Sequence, residues 1–471
     1  MSPHRSEQHL VVGRKGAGPP AVLLLRGQEG WALPSIELRE QRAADVSLIN
    51  REARALLGAE VSVLRCLCDD PTGSVRQQVH DLDVHTGGWA LPRRATWFTR
   101  SDLHTASLTR PVHRAVLDRW FEERDAGSPP SDGRDWAQSG WRDEAIAWAE
   151  RELAEHGLPG IDEIEQVRVW EFSHVLRLAT TAGEIYLKAR PRSGASEPLL
   201  TRYLARHFPA WMPAVLAIDA ARRWLLMRAS PGPALMDVRD PARWEQAAET
   251  FARIQIDCVG RADELMTVGC PARPLDWLEA EIPALLDDTA ALQPVDAEAL
   301  TDAEVVEVRG LRSELQAMCR ELAALGVPRS LEHGDLWGVN VIAGERDPVF
   351  IDWEDASVAH PFLSIFLLLA SPEYAEALSE VPDARARIRA AYLGPWRHWA
   401  AAEGWAAGRL ERAFDLAQRL AGAHYAVQFR LFALPLIETS WEVRAFAPLF
   451  LRALLRAAGK GGDPHGETDG T

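Results

Sequence analysis

The chain has 471 residues, more than one hydrophobic core ordinarily serves, so two or three domains are expected. Hydrophobic residues make up 47% and charged residues 25%, the composition of a globular protein that folds in water. A formal net charge of -16 leaves too little basic surface to neutralise a phosphate backbone, which excludes a general nucleic-acid binder.

The opening residues, MSPHRSEQHLVV, lack the apolar core of a signal peptide. The longest apolar stretch, residues 362–370, is too short to span a bilayer. The expected location is the cytoplasm, with no membrane partner. Cys66, Cys68, Cys258, Cys270 and Cys319 form an odd, scattered set with no second pair at zinc spacing, and read as reduced thiols.

In chain order, alternating apolar runs predict strands at residues 10–13, 21–26 and 61–67, with amphipathic helices over 46–57 and 110–124. Residues 1–128 thus read as one α+β domain. The Gly-, Pro-, Ser- and charge-rich stretch ERDAGSPPSDGRD opens a linker, set at 129–140. A helix over 143–156 leads into strand runs at 167–170, 175–179 and 185–189, with TTAG at 180–183 as a hairpin turn. A helix at 197–207 and strands at 215–219 and 224–227 complete a β-rich segment, 141–228. Residues 229–458 are mainly helical, and the polar, Gly-rich tail 459–471 reads as disordered.

One interruption of the helical part carries chemistry. In LEHGDLWGVNVIAGERDPVFIDWEDA, His333, Asp335 and Asn340 sit in a loop entering a strand at 341–343, and a second strand, 349–351, delivers Asp352 at its end. Paired antiparallel through residues 344–347, the strands would bring Asn340 and Asp352 side by side. Magnesium takes oxygen ligands and keeps water and substrate phosphates for the rest of its shell, which suits that pair. Asp335, on the loop just before, could accept the proton of a hydroxyl attacking a γ-phosphate.

The pattern H-G-D-x-x-x-x-N followed by two apolar residues and D-W-E resembles the aminoglycoside phosphotransferase and choline kinase family over about residues 140–455. The resemblance implies a bilobal protein-kinase-like fold, with a small β-rich N-lobe and a large helical C-lobe. It further implies ATP and magnesium, with Asp335 as catalytic base and Asn340 and Asp352 as metal ligands. Lys188, in the run IYLKA, would take the α/β-phosphate position, with Glu197 at the start of the next helix holding it. Met227 and Ala229 would lie at the hinge that offers backbone groups to adenine. Two departures stand out. The phosphate-covering loop, 170–174, has no glycine, so Ser173 would have to serve there. Ser364 stands where the family usually carries an aspartate that braces the catalytic loop.

The first domain carries GWALPSIELRE and NREARALLGAEVSVL, which resemble a Nudix domain: L-P between strands, then a helix with R-E closed by glycine. Arg51 and Glu52 remain of its metal-binding motif, but Ala55 and Leu56 occupy two glutamate positions, and one carboxylate does not hold a dication. The expected whole is an α+β chain: a Nudix-like α/β/α domain without hydrolase activity, then a small-molecule kinase acting on an unspecified hydroxyl. A kinase-like binding module, or a phosphotransferase acting on a peptide or protein, are the alternatives.

Overall fold

The computed structural model describes residues 5–16, 18–39, 45–127, 133–191, 196–295, 297–374, 378, 381–406, 408–439 and 441–459. Residue 460 onward, within the expected tail, and residues 129–132 of the expected linker lie outside the described residues, as does residue 128. Two compact units make up the chain: Met1–Ser193 with Ala221–Met227 and Leu436–Ser440, and Gly194–Ala220 with Arg228–Pro435 and Trp441–Thr471. No helix among the described residues is long and apolar enough to cross a membrane.

The first unit begins with β1 (Ser6–Val12), β2 (Ala21–Arg26), β3 (Trp31–Ala32), β4 (Ser35–Leu38), α1 (Ser47–Leu57), β5 (Val61–Asp70), β6 (Arg76–Val84), β7 (Ala95–Thr99), α2 (Arg100–Thr105) and α3 (His113–Asp125). One sheet runs β4-β1-β6-β5, with β1 and β6 parallel, and a second runs β3-β2-β7. Val11, Val22, Leu24, Leu117, Trp120 and Phe121 belong to the apolar core of this part. Strand β6 escapes sequence reading for a physical reason. Its run RQQVHDLDV is polar, yet Gln78, His80, Asp81 and Asp83 are all buried on it because each finds a partner. Trp120 Nε1 donates to Asp81 Oδ1 at 3.0 Å, and His80 Nε2 meets Gln8 Oε1 at 2.7 Å.

Residues 133–140 are ordered on that same strand. Asp83 accepts from Ser139 Oγ at 2.7 Å and from Gly140 N at 3.0 Å, and Lys15 pairs with it at 2.8 Å. Burial raises the Asp83 carboxyl, but these three contacts outweigh it and hold the group below its ordinary value. Gly140, with φ of 90°, then starts α4 (Trp141–Glu155), which leads to β8 (Glu163–Val169), β9 (His174–Thr180) and β10 (Gly183–Ala189). Strands β8, β9 and β10 form a meander, with β12 (Trp224–Arg228) beside β10. Gln166 of β8 reaches β5: its Oε1 accepts from Val63 N at 2.9 Å and its Nε2 donates to Val63 O at 2.7 Å. A side-chain amide thus takes the place of a strand neighbour, and binds the β8–β10 meander and the first sheet into one unit.

The second unit holds α5 (Glu197–His207), β11 (Val215–Asp219), α6 (Pro241–Cys258), α7 (Ala262–Thr267), α8 (Leu275–Asp287), α9 (Thr289–Leu292), α10 (Asp302–Gly310) and α11 (Arg312–Ala324). Short strands follow: β13 (Ser330–Glu332), β14 (Val341–Ala343), β15 (Pro348–Phe350) and β16 (Ser357–Ala359). Then come α12 (Pro361–Ser364), α13 (Phe366–Tyr374), α14 (Ala384–Ala402), α15 (Arg409–Gln428), a π-helical turn (Phe429–Ala433) and α16 (Phe446–Ala457). The described chain is therefore mixed α+β, strand-rich at the start and mainly helical from α6 on, with the short strands β13 to β16 between helices. The structure places α3 three residues later than sequence periodicity does, since Pro111 precedes a turn that α3 follows.

Burial pushes three imidazoles, His80, His174 and His360, down to about 3. Each recovers an ordinary value near 6.5 when the chain unfolds. Between the folded and unfolded values the unfolded chain binds more protons. The stability that depends on neutral burial is therefore complete above pH 6.5 and is lost as pH falls below it. At pH 5 each of these residues should cost about 2 kcal/mol relative to neutral pH. Thermal melts from pH 8 to pH 5 should show the midpoint falling from about pH 6.5; a midpoint unchanged down to pH 5 would contradict the neutral burial.

Candidate active site

Strands β14 and β15 pair antiparallel in the register Val341↔Phe350, Ile342↔Val349, Ala343↔Pro348. Ile351 N continues the ladder by donating to Asn340 O at 3.0 Å. Asn340 and Asp352 are thereby brought to the same end of the hairpin. Asn340 closes a 3₁₀ turn (Gly338–Asn340) whose Gly338 N donates to the buried Ser371 Oγ at 3.1 Å. Its Nδ2 donates to Asp335 O at 2.8 Å and to Asp335 Oδ2 at 2.7 Å. With Nδ2 committed to Asp335, the atom Asn340 can offer a cation is Oδ1.

Asp352 has φ 68° and ψ 59°, a left-handed conformation that asparagine and aspartate tolerate better than most side chains. Its neighbours impose it. On one side Ile351 is held at both backbone groups, by Asn340 O and by His333 Nε2, which donates to Ile351 O at 3.0 Å. On the other side Trp353 is fully buried, its ring tilted against that of His333 with centroids 4.4 Å apart, and it donates from Nε1 to Phe350 O at 3.2 Å. Residue 352 absorbs the turn between these two fixed neighbours.

His333 organises the loop from within. Its Nε2 carries the hydrogen given to Ile351 O, so Nδ1 is the acceptor and takes the Asp335 amide at 3.3 Å. Burial pushes its pKa down to about 4, which keeps the ring neutral and in that tautomer at neutral pH. The backbone N–H of His333 donates to Ser364 Oγ at 2.9 Å, and Tyr425 OH donates to Ser364 O at 3.3 Å. Ser364 therefore keeps a loop-bracing hydrogen bond at the position where an aspartate was expected. It does so without a charge.

A feature that sequence reading missed is a group of three acids. One carboxylate oxygen from each of Glu197, Asp352 and Glu354 lies within 4.8 Å of the others. Glu197 is buried at the first position of α5, and Glu354 stands in the 3₁₀ turn Trp353–Asp355. The D-W-E run was the available signal for Glu354. Its role depends on the turn folding it back towards Glu197, 157 residues earlier, and no local pattern records that.

The remaining sequence candidates are spread over the two units. Lys188 is buried on β10 opposite Val175. Ser173 is buried in the 170–174 loop, where its Oγ accepts from Trp170 Nε1 at 2.9 Å. In that loop Glu171 is also buried, its Oε1 accepting from Thr439 N at 2.8 Å and from Glu438 N at 3.2 Å. Met227 lies at the end of β12, and Ala229 just follows it.

The sequence matches the model of the phosphotransferase enzyme family, APH, over residues 163–409. The chain belongs to this family. That match spans β8 to α14, ending at the first residue of α15, and includes Asp335, Asn340 and Asp352. No curated protein matches the chain. Among solved structures the phosphotransferase is similar to a choline/ethanolamine kinase family protein from Mesorhizobium loti, at 17% identity, covering 69% of this chain and 96% of that one, with a TM-score of 0.41. It is also similar to an ethanolamine kinase from Plasmodium vivax (12% identity, 66% and 87% covered, TM-score 0.44) and to a macrolide 2'-phosphotransferase from Brachybacterium faecium (15%, 66% and 98%, TM-score 0.42). Membership rests on the family model.

Gly334 tests the loop geometry directly. Its φ is 81°, and a Cβ there would lie 2.7 Å from Asp355 Cβ and closer still to the Asp355 carbonyl oxygen. Gly334→Ala meets backbone rather than a flexible side chain, so it should cost about 2–4 kcal/mol of stability. Urea denaturation of the two proteins measures this; a loss below about 0.5 kcal/mol would show that the loop is not held as described.

Proposed function

We propose that this phosphotransferase moves the γ-phosphoryl group of ATP to a hydroxyl of a small molecule, with Asp335 as general base. The observation that carries the reading is the double hydrogen bond from Asn340 to Asp335. It fixes the candidate base and turns the one oxygen ligand Asn340 can offer away from it. In the reaction the acceptor oxygen bonds to the γ-phosphorus, the bond from that phosphorus to the β,γ-bridging oxygen breaks, and ADP leaves. The acceptor's proton passes to Asp335.

The gathered acids Asp352, Glu354 and Glu197 present only oxygen donors, and Asn340 would add its Oδ1, a set that fits magnesium rather than a softer metal. Magnesium bound there supplies positive charge against the phosphate oxygens. Three gathered carboxylates also repel one another, so a cation is favoured on electrostatic grounds alone. For the nucleotide, the family resemblance assigns Lys188 to the α/β-phosphates, Ser173 to the covering loop, and Met227 and Ala229 to adenine.

The first domain is read as Nudix-like and without hydrolase activity. Its parallel β1–β6 pair inside a mixed sheet, with α1 and α3, supports the fold reading, and the missing glutamates support the loss of activity. Glu171 favours a second reading of the whole, a kinase-like module that binds nucleotide and turns over weakly. A buried carboxylate occupies a loop where backbone would otherwise approach phosphate.

Calorimetry tests the metal and nucleotide assignments together. ATP should bind at least about tenfold more weakly in EDTA than in magnesium, and Asp352→Ala should abolish most of that difference. Equal affinity with and without metal would overturn the assignment of Asn340 and Asp352.

A further inference from the structure

Glu332 sits three residues before Asp335, at the end of β13, and is completely buried. Its Oε1 accepts from His424 Nε2 at 2.6 Å, and His424 is completely buried as well. Its Oε2 accepts from Ser357 Oγ, on the residue opposite it in β16. Gln428, one turn after His424 on α15, donates to both oxygens at 3.3 and 3.4 Å. Arg273, also buried, lies within electrostatic reach and donates through a guanidinium nitrogen to Asp355 O at 3.1 Å.

A carboxylate in such a place is expensive. Removing it from water costs several kcal/mol, and an apolar side chain of similar size would serve stability alone as well or better. What the ionic cluster supplies and an apolar residue would not is a fixed direction: three side chains from α15 and β16, His424, Gln428 and Ser357, donate to the carboxylate and define where the end of β13 stands. The next anchors are His333, tied to Ser364 Oγ and Ile351 O, and Asp335, tied to His333 Nδ1 and Asn340. Between them Gly334, in the left-handed region, has no side chain to limit its rotation. The Asp335 carboxylate is thus placed by anchors on both sides of one permissive residue.

We propose that Glu332, held by His424 and Ser357, is a positioning residue that fixes the catalytic loop to α15 and so sets the aim of Asp335. The inference rests on Asp335 being the base. Its effect belongs to the bound, reacting state: a loop misplaced by a fraction of an ångström still binds nucleotide but presents the base poorly.

The test uses the full chain with MgATP, reading ADP release with water as acceptor. Glu332→Gln should lower kcat by about tenfold to a hundredfold while KM for ATP stays within about twofold. His424→Leu should behave like Glu332→Gln. His424→Gln, which can still donate to Oε1, should recover to within about threefold of wild type. In an Asp335→Asn background, Glu332→Gln should cost nothing further, because its effect runs through Asp335. Ser357→Ala, a milder change, stands in if Glu332→Gln does not fold. Unchanged kcat, a loss confined to KM, or additivity with Asp335→Asn each overturns the proposal. Wild type that forms no ADP overturns the functional reading instead. In that case amide exchange over residues 331–341 still decides the anchor: faster exchange in Glu332→Gln supports it, and unchanged exchange overturns it.

Discussion

The hydrogen bonds from the Asn340 amide to Asp335 are the contacts on which the rest of the site depends. They exist because two strands of three residues each pair in one register and hand on to a 3₁₀ turn. Slipping that register by one residue would reverse the faces of β14 and β15 and separate Asn340 from Asp352. The hairpin is held against slippage. Ala343 N donates to Pro233 O at 2.9 Å, and Gly232 packs so closely on Ala343 that no Cβ fits between them. A short element is thus made specific by its surroundings rather than by its own length.

The loop before the hairpin is over-determined in the same way. Gly334 and Asp352 both lie in left-handed backbone conformations, one permitted by the missing Cβ and the other imposed by pinned neighbours. Local strain of about 1–3 kcal/mol persists where surrounding structure fixes it, and such positions cluster at functional sites. Below the loop lies a polar layer, with Glu332, His424, Ser357, Gln428 and Ser364 all buried. The bonds of Glu332 to His424, Ser357 and Gln428, and that of the His333 amide to Ser364, all act on the segment that carries Asp335. Polar side chains at the centre of a helical core give that segment a single arrangement, where apolar packing alone would tolerate several.

How much of this was legible in the sequence differs from element to element. The hairpin was, because two apolar triplets flank a polar turn, and so were the positions of Asp335, Asn340 and Asp352, which ride on it. Strand β6 was not, since it is buried on both faces with Gln78, His80, Asp81 and Asp83 among its buried residues, and hydropathy reads such polar residues as loop. The 133–140 segment looked like a pure spacer by composition, yet Asp83 orders it. Ser364 looked like a loss; only the structure shows its hydroxyl accepting from the His333 amide. The gathering of Glu197 with Asp352 and Glu354, and the pairing of Glu332 with His424, join residues more than ninety positions apart. Periodicity and motif spacing report local geometry and say nothing of such meetings.

The central claim is that Asp335 acts on the transferring proton and not on nucleotide binding. Single-turnover ADP formation from saturating MgATP in Asp335→Asn, beside its measured ATP affinity, tests it most directly. The account predicts affinity within about twofold of wild type and a transfer rate lower by about 10²–10⁴-fold, the range of general base catalysis. A mutant that transfers the phosphoryl group within a few fold of wild type would contradict it.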